Sequence, residues 1–348
     1  MIAAKSLLTR CTQAMQRRPG LMAVLAFFSG VASFFLVERK EALAQLIAVL
    51  LLLSWLWFWL DNWLHERIQQ RFGVTIPATA ERFALQLVHQ ESLFFALPFF
   101  LAATSWDHAQ AGFTLLIIAC ALISVIDPVY YKKLAPRRTL FAVFHAFALF
   151  VVLLVILPVL LQLSTSQSLA TALICAAAFS LPALGRLLPN GRWWRLPCLL
   201  LLLGALGLLL WQLRSAIPAA ALRLTSISLT QQLDTEQRKP GRSITSVDET
   251  SLHQQGLYSF TAIKAPRGLR EAIYHLWIHN GKEVDRIKLD ISGGRAGGYR
   301  AWSRKQNFPA RAVGKWQIKV VTASGQLIGI NRFVVTPAPA RTTAPADA

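Results

Sequence analysis

Apolar positions follow two regimes along the chain. Through residue 213 they form long, almost uncharged blocks, and beyond residue 220 they alternate with polar ones. A bilayer core about 30 Å thick takes about 20 apolar residues to cross as a helix. Backbone polar groups cannot stay unpaired in lipid, so such blocks predict membrane-crossing helices. Seven blocks qualify, at 20–37, 42–60, 83–106, 109–126, 139–163, 169–188 and 196–213. The third contains Glu91 and the sixth ends near Arg186, which makes these two the weakest of the set.

Lys and Arg between the blocks predict orientation, because cytoplasmic connections retain them. Lys5, Arg10, Arg17 and Arg18 precede the first block, and Arg67, Arg71 and Arg82 follow the second. Lys132, Lys133, Arg137 and Arg138 follow the fourth, and Arg186, Arg192 and Arg195 follow the sixth. The opposite connections hold Arg39 and Lys40 alone. This bias puts the N-terminus in the cytoplasm and, with an odd span count, residues after 213 outside it. The basic start followed by an apolar run resembles a secretory signal, but no small-x-small cleavage site follows, so an uncleaved anchor is expected. Trp55, Trp57, Trp59 and Trp63 crowd one end of the second block, as headgroup-level anchoring predicts, and 61–72 has the spacing of a helix lying on the inner surface.

After a linker at 214–220 the period becomes two. Strands are expected at 222–229, 257–263, 271–279, 287–291, 299–305, 316–320 and 327–335. Asn280-Gly281 and Ser324-Gly325 are tight-turn pairs. Seven short strands without a confident helix predict a small all-β immunoglobulin-like sandwich over 221–336. The polar stretch 234–256 reads as a loop, and the low-complexity tail 337–348 reads as disordered.

Composition agrees and narrows the class. Of 348 residues 54% are hydrophobic and 15% charged, with 36 Lys plus Arg against 17 Asp plus Glu, for a net charge of +19. Intrinsic disorder, collagen and a disulfide scaffold are excluded. Cys11, Cys120, Cys175 and Cys198 lack metal-ligand spacing and read as apolar packing residues.

Two groups of residues carry candidate chemistry. In the apolar region His89, Glu91, Asp127 and His145, with Gln86 and Gln90 beside them, fall in the cytoplasmic half of their blocks. Ionisable groups inside a membrane are functional candidates, here for a proton or ion relay or a polar small-molecule site. The competing reading is that they satisfy one another and fix helix packing. In the β region no acid occurs between Asp290 and Asp347, while Arg295, Arg300, Arg304, Lys305 and Arg311 are followed by Lys315, Lys319, Arg332 and Arg341. Such a field draws anions. Outside the cytoplasm these are anionic lipid headgroups, lipopolysaccharide phosphates or acidic wall polymers, and not nucleic acid. The bland alternative is a solvated basic surface.

His275 and His279 share a strand face about 13 Å apart, too far to hold one metal together, so no metal or cofactor is expected. The non-cytoplasmic connections offer Asp107 and His108 as acid-base groups, too few to suggest an enzyme.

The stretches YHLWIHNGKEV, RAWSRKQNFP and GKWQIKVVTASGQLIGINRFVV carry the pattern H-x-W, S-x-K with a nearby proline, G-x-W, a glycine turn and F-x-V. His275, Trp277, Ser303, Lys305, Pro309, Gly314, Trp316, Gly325, Phe333 and Val335 fill those places. This resembles a bacterial family described as a domain of unknown function, in which the module follows a multi-span membrane region. The resemblance implies a bacterial inner-membrane protein and lends no activity, substrate or catalytic residue. The expected protein is therefore a membrane all-α region of seven spans over 1–213 followed by a periplasmic β-sandwich. It would act as a non-enzymatic envelope-binding or accessory module in contact with membrane lipids and with another membrane protein. The rival expectations are a small-solute or proton-linked transporter using Glu91, His89 and His145, and a membrane enzyme acting on lipid-linked substrates.

Overall fold

The computed structural model describes residues 41–59, 78–185, 194–266, 269–292 and 298–338, with the single positions 24, 28 and 32. The first expected span, the surface segment 61–72, Arg295, Arg341 and the tail from 339 lie outside the described residues. The chain divides into two compact units, Met1–Ala216 and Ile217–Ala348.

In the first unit the other six apolar blocks fall on helices. These are α1 (Glu41–Trp59), α2 (Ala78–Ala103), α3 (Gln110–Val125), α4 (Arg138–Leu161), α5 (Thr165–Gly185) and α6 (Arg195–Gln212). Among the described residues, three helices are long and apolar enough to cross a bilayer: Glu81–Ala103, Arg138–Leu161 and Pro197–Ala216. A fourth crossing follows if Gln110–Val125 and Asp127–Leu134, bent by 92°, form one span. The expected count of seven is not reached there, and α3 shows why. Its 16 residues extend about 24 Å, short of a bilayer core. Ile126 then turns extended, with φ −84° and ψ 91°, and Pro128 starts a new turn, a position that suits a residue without an N–H. The apolar parts of α1 and α5, Gln45–Leu56 and Thr165–Leu181, are also short.

Burial differs sharply among these helices. The apolar windows of α2 and α4 are 61% and 67% buried, and that of the last helix 0%. Leu93, Phe95, Ala96 and Phe100 of α2 and Val151, Val152, Val155 and Ile156 of α4 are among the most enclosed side chains.

The second unit is built from β1 (Arg223–Thr230), β2 (Leu233–Asp234), β3 (Lys239–Pro240), β4 (Ser246–Asp248), α7 (Glu249–Gln255), β5 (Leu257–Lys264), β6 (Arg270–His279), β7 (Lys282–Ser292), β8 (Tyr299–Lys305), β9 (Gly314–Thr322) and β10 (Leu327–Thr336). One sheet has the order β1-β5-β8 and the other β4-β10-β9-β6-β7. All neighbours are antiparallel except β10 and β4. Alternation puts one face of each sheet into a common core. Leu229, Leu257, Trp277, Trp316 and Phe333 make one cluster, and Ile263, Ile273, Leu289, Val320 and Ile328 the other. Trp316 stacks between Phe333 at 5.8 Å and His279 at 4.4 Å, and its Nε1 donates to Ala312 O at 2.8 Å. Asn280 and Gly281 close the β6–β7 hairpin with φ of 47° and 85°, the conformation that this residue pair favours.

Two stretches depart from expectation. Residues 234–256 hold the β2–β3 hairpin, β4 and α7 instead of a loop. Asp248 caps α7 by accepting the Ser251 N–H at 2.8 Å, hydrogen bonding from the Ser251 side chain and then its backbone holds the Asp248 carboxyl below the usual range, and Gly256 at φ 70° ends the helix. With Leu252 its one buried residue, α7 has no apolar period to betray it. The linker 214–220 also changes character midway: Ile217, Ala219 and Ala220 are buried, and Gln326 Nε2 donates to Ile217 O at 3.3 Å.

Candidate functional site

Helical spacing places Gln86, His89 and Gln90 on one face of α2, three and four residues apart, while Glu91 turns away from them. That face meets the break after α3. An α-helical N–H at position 128 would bond Ser124 O, but Pro128 has none to offer. Two side chains supply it instead: Gln86 Nε2 at 2.9 Å and Gln90 Nε2 at 2.8 Å both donate to Ser124 O. Gln86 also donates to Asp127 Oδ1 at 2.8 Å and accepts from the Tyr131 hydroxyl at 2.6 Å. The break is thus tied to α2 by glutamines that replace the missing backbone donor.

Beyond the break the segment Tyr130–Leu134 is a π turn in which the Ala135 N–H bonds Tyr130 O, five residues back. Such turns are rare and concentrate at functional sites. It directs the Tyr130 hydroxyl to His89 Nδ1 at 2.8 Å, and His89 Nε2 lies 3.0 Å from His145 Nδ1 on α4. Tyr130 and His89 are almost fully buried, and His145 is half-buried. Trp55 of α1 covers both imidazoles, with ring centroids 5.6 Å and 4.6 Å away, and its Nε1 donates to Ser92 Oγ at 2.9 Å.

Of the expected intramembrane residues, His89 and His145 are therefore bonded to each other, and Asp127 belongs to the adjoining Gln86 and Tyr131 network. Glu91, half-buried two residues along α2, is not the partner of His89, whose two nitrogens are engaged by Tyr130 and His145. Tyr130, Tyr131, Ser124 and Trp55 were not foreseen. The Asp127-Pro128 pair, with two glutamines at four-residue spacing elsewhere, was the available signal for the break.

In the β unit the basic stretch is dispersed by strand parity. Ala301, Ser303 and Lys305 of β8 face inward. Lys305 is 5% exposed, with Nζ 2.8 Å from Asp285 Oδ2 and 5.6 Å above the Phe308 ring, so as an anion-binding residue it is corrected to a buried ion-pair partner. Arg300 Nη1 donates to the carbonyls of Gln237 and Arg238 at 3.2 and 3.4 Å. Arg304 lies over the Tyr258 ring at 5.1 Å, and Arg311 is exposed in the β8–β9 connection.

The denser basic surface is the outer face of the five-stranded sheet. There Arg286 and Lys288 of β7 pair across from Leu276 and Tyr274, and Lys319, Arg332 and Lys315 pair with Ile330, Gln317 and Val334. Arg286 sits 5.1 Å over Tyr274. Glu283, 3.9 Å from Arg286 Nε, is the acid among the described side chains there. Arg286 and Lys288 were missed because the acids Asp285 and Asp290 flank them in sequence, although strand parity puts Asp285 on the opposite face from both.

His275 lies in the core, with Nδ1 2.8 Å from Ser303 Oγ and Nε2 3.3 Å from Thr261 Oγ1. Burial pushes its imidazole down to about 3. Among the described residues no group of three or more His, Cys, Asp or Glu is placed to hold a metal.

An apolar helical unit with a polar network at a helix break, followed by a two-sheet unit with a basic outer face, defines the class. The chain belongs to the family described as "Family of unknown function (DUF5924)", whose model matches residues 1–259. Residues 270–335 match the model "Protein of unknown function (DUF2914)", which covers the stretch carrying the H-x-W and G-x-W resemblance. No curated protein matches. Among solved structures, "Pseudomonas fluorescens alkylpurine DNA glycosylase AlkC bound to DNA containing an abasic site analog" aligns at 9% identity over 72% of this chain and 99% of that one. Its TM-score of 0.23 carries no argument about fold or function.

Proposed function

We propose that this is a multi-span bacterial inner-membrane protein whose immunoglobulin-like β-sandwich lies in the periplasm as a non-enzymatic accessory module contacting anionic lipid headgroups. The observation carrying this reading is the outer face of the five-stranded sheet, where Arg286, Lys288, Lys315, Lys319 and Arg332 stand among Tyr274, Leu276, Ile278, Ile330 and Val334. Interleaved cations and apolar side chains suit a headgroup layer, where charges meet phosphates and short apolar groups enter the interface.

The topology rests on the charge bias between apolar blocks and on parity. An odd number of crossings separates the N-terminus from the β unit, and the bent pair at 110–134 changes that number by one. Fusions after Val335 test it: alkaline phosphatase activity supports the periplasmic placement, and a fluorescent, phosphatase-inactive fusion overturns it. The binding test uses residues 217–338 with vesicles. Anionic vesicles should be bound more than neutral ones, less so as salt shortens the Debye length from about 10 Å at 0.1 M to about 3 Å at 1 M. Replacing Arg286, Lys319 and Arg332 with Gln should reduce that binding. Equal binding to both vesicle types sinks the proposal.

A further inference from the structure

We propose that His89 and His145 form a proton-binding pair in which uptake of one proton reverses the hydrogen bond to Tyr130 at the helix break. This goes beyond the headgroup-binding reading and does not depend on it. The argument is a count of ring protons. Two neutral imidazoles carry two protons on four nitrogens, and the 3.0 Å contact between His89 Nε2 and His145 Nδ1 holds one of them. The other must sit on one of the two outer nitrogens, His89 Nδ1 or His145 Nε2. The Tyr130 hydroxyl, buried and 2.8 Å from His89 Nδ1, needs an acceptor, because a buried O–H without one is costly. It therefore donates to His89 Nδ1, and the outer proton resides on His145 Nε2.

One added proton changes this by necessity. The pair then has three protons, one shared and one on each outer nitrogen. His89 Nδ1 becomes a donor, so Tyr130 Oη must accept, and its own O–H gives up the His89 acceptor, a cost set against the charge-assisted bond that replaces it. Tyr130 opens the π turn that follows the break, so the reversal acts where the α-helical hydrogen-bond pattern is already suspended. Burial disfavours charge on either ring alone, and the pairing lessens that cost for one proton but not for two. The charge is divided between two rings, and the Trp55, Phe144 and Tyr130 rings lie within 4.6 to 6.1 Å of one imidazole or the other. A second proton would place two cations in contact.

The charged or titratable groups on the packed elements are Glu41 on α1, Glu81, Arg82 and Glu91 on α2, Cys120 on α3, Asp127, Tyr130, Tyr131, Lys132 and Lys133 at the break, Arg138 on α4 and Cys175 on α5. Of these, among the described residues, Tyr130 is the one bonded to the pair. Half-buried His145 is the end through which the proton enters.

The test is nitrogen NMR of the full chain, labelled with 15N-histidine, in lipid nanodiscs from about pH 8 to about pH 5, the range where an imidazole exchanges its charge. The chain has seven histidines, so His89→Gln and His145→Gln assign the two signal sets. At high pH His89 Nδ1 should be bare and His145 Nε2 protonated. On acidification both should change together in one step that adds one proton to the pair. Tyr130→Phe removes the donor and should place protons on His89 Nδ1 already at high pH, an effect that loss of packing alone does not produce. Independent titration of the two rings, absence of any change across the range, or insensitivity of the His89 tautomer to Tyr130→Phe would each overturn the proposal.

Discussion

In the β unit His275 is bracketed by Ser303 and Thr261, whose hydroxyls can each donate or accept. In the helical unit His89 is bracketed by Tyr130 and a second imidazole. Both rings are fully buried, yet their neighbours make them opposites. Hydroxyls rotate to suit a neutral imidazole and cannot share its charge, so His275 is held neutral. A second imidazole can take half of an added proton, so the His89 pair has a charged state available. Burial alone does not distinguish a structural histidine from a switching one; the titratability of its partner does.

The largest expected effect breaks or confirms the β side of this comparison. His275 is lowered to about 3 when folded and returns to about 6.5 when unfolded, so between those values the unfolded chain binds more protons. This contribution to stability is complete above pH 6.5 and falls by about 1.4 kcal/mol per pH unit as pH drops toward 3. Chemical denaturation of residues 217–338 at a series of pH values should show that slope, and His275→Gln should flatten it. Equal slopes in the two proteins would mean that the ring is accessible to protons in the fold.

Trp316→Ala comes next. Its ring lies between Phe333 and His279 beside the second buried indole, Trp277, and loss of it should cost about 3–5 kcal/mol. A cost below about 1 kcal/mol would take Trp316 out of the core and weaken the view that the H-x-W and G-x-W residues serve packing.

The helical side is sharpened by Gln86→Ala and Gln90→Ala. Each alone leaves Ser124 O one donor, whereas the pair leaves a buried carbonyl with none, a loss of roughly 1–3 kcal/mol beyond the sum of the singles. Thermal melts of the full chain in detergent measure the coupling. Strict additivity would show that another group bonds the carbonyl. The smallest effect belongs to the outer face of the β unit: Arg286, Lys319 and Arg332 together changed to Gln should leave the 217–338 fragment within about 0.5 kcal/mol of the parent.

The sequence by itself determined the division into an apolar helical region and an alternating β region, because long uncharged blocks leave helices as the structure that satisfies their backbone, and one-sided burial of a sheet imposes a period of two. It also determined most strands and the Asn280-Gly281 hairpin, where local backbone preference is enough. The capped helix α7 escaped because its signal is a single Asp followed by one buried leucine. Tertiary structure decided which charges count. Lys305 looks no different in sequence from Arg304, yet strand parity buries one against Asp285 and leaves the other over Tyr258. It decided the site in the helical unit as well. His89 has Glu91 two residues away along the chain, but a helix rotates that carboxylate to another face, and the partners it receives are a tyrosine 41 residues and a histidine 56 residues distant. Contacts of that range depend on how helices pack, which a local pattern of polar and apolar residues does not encode.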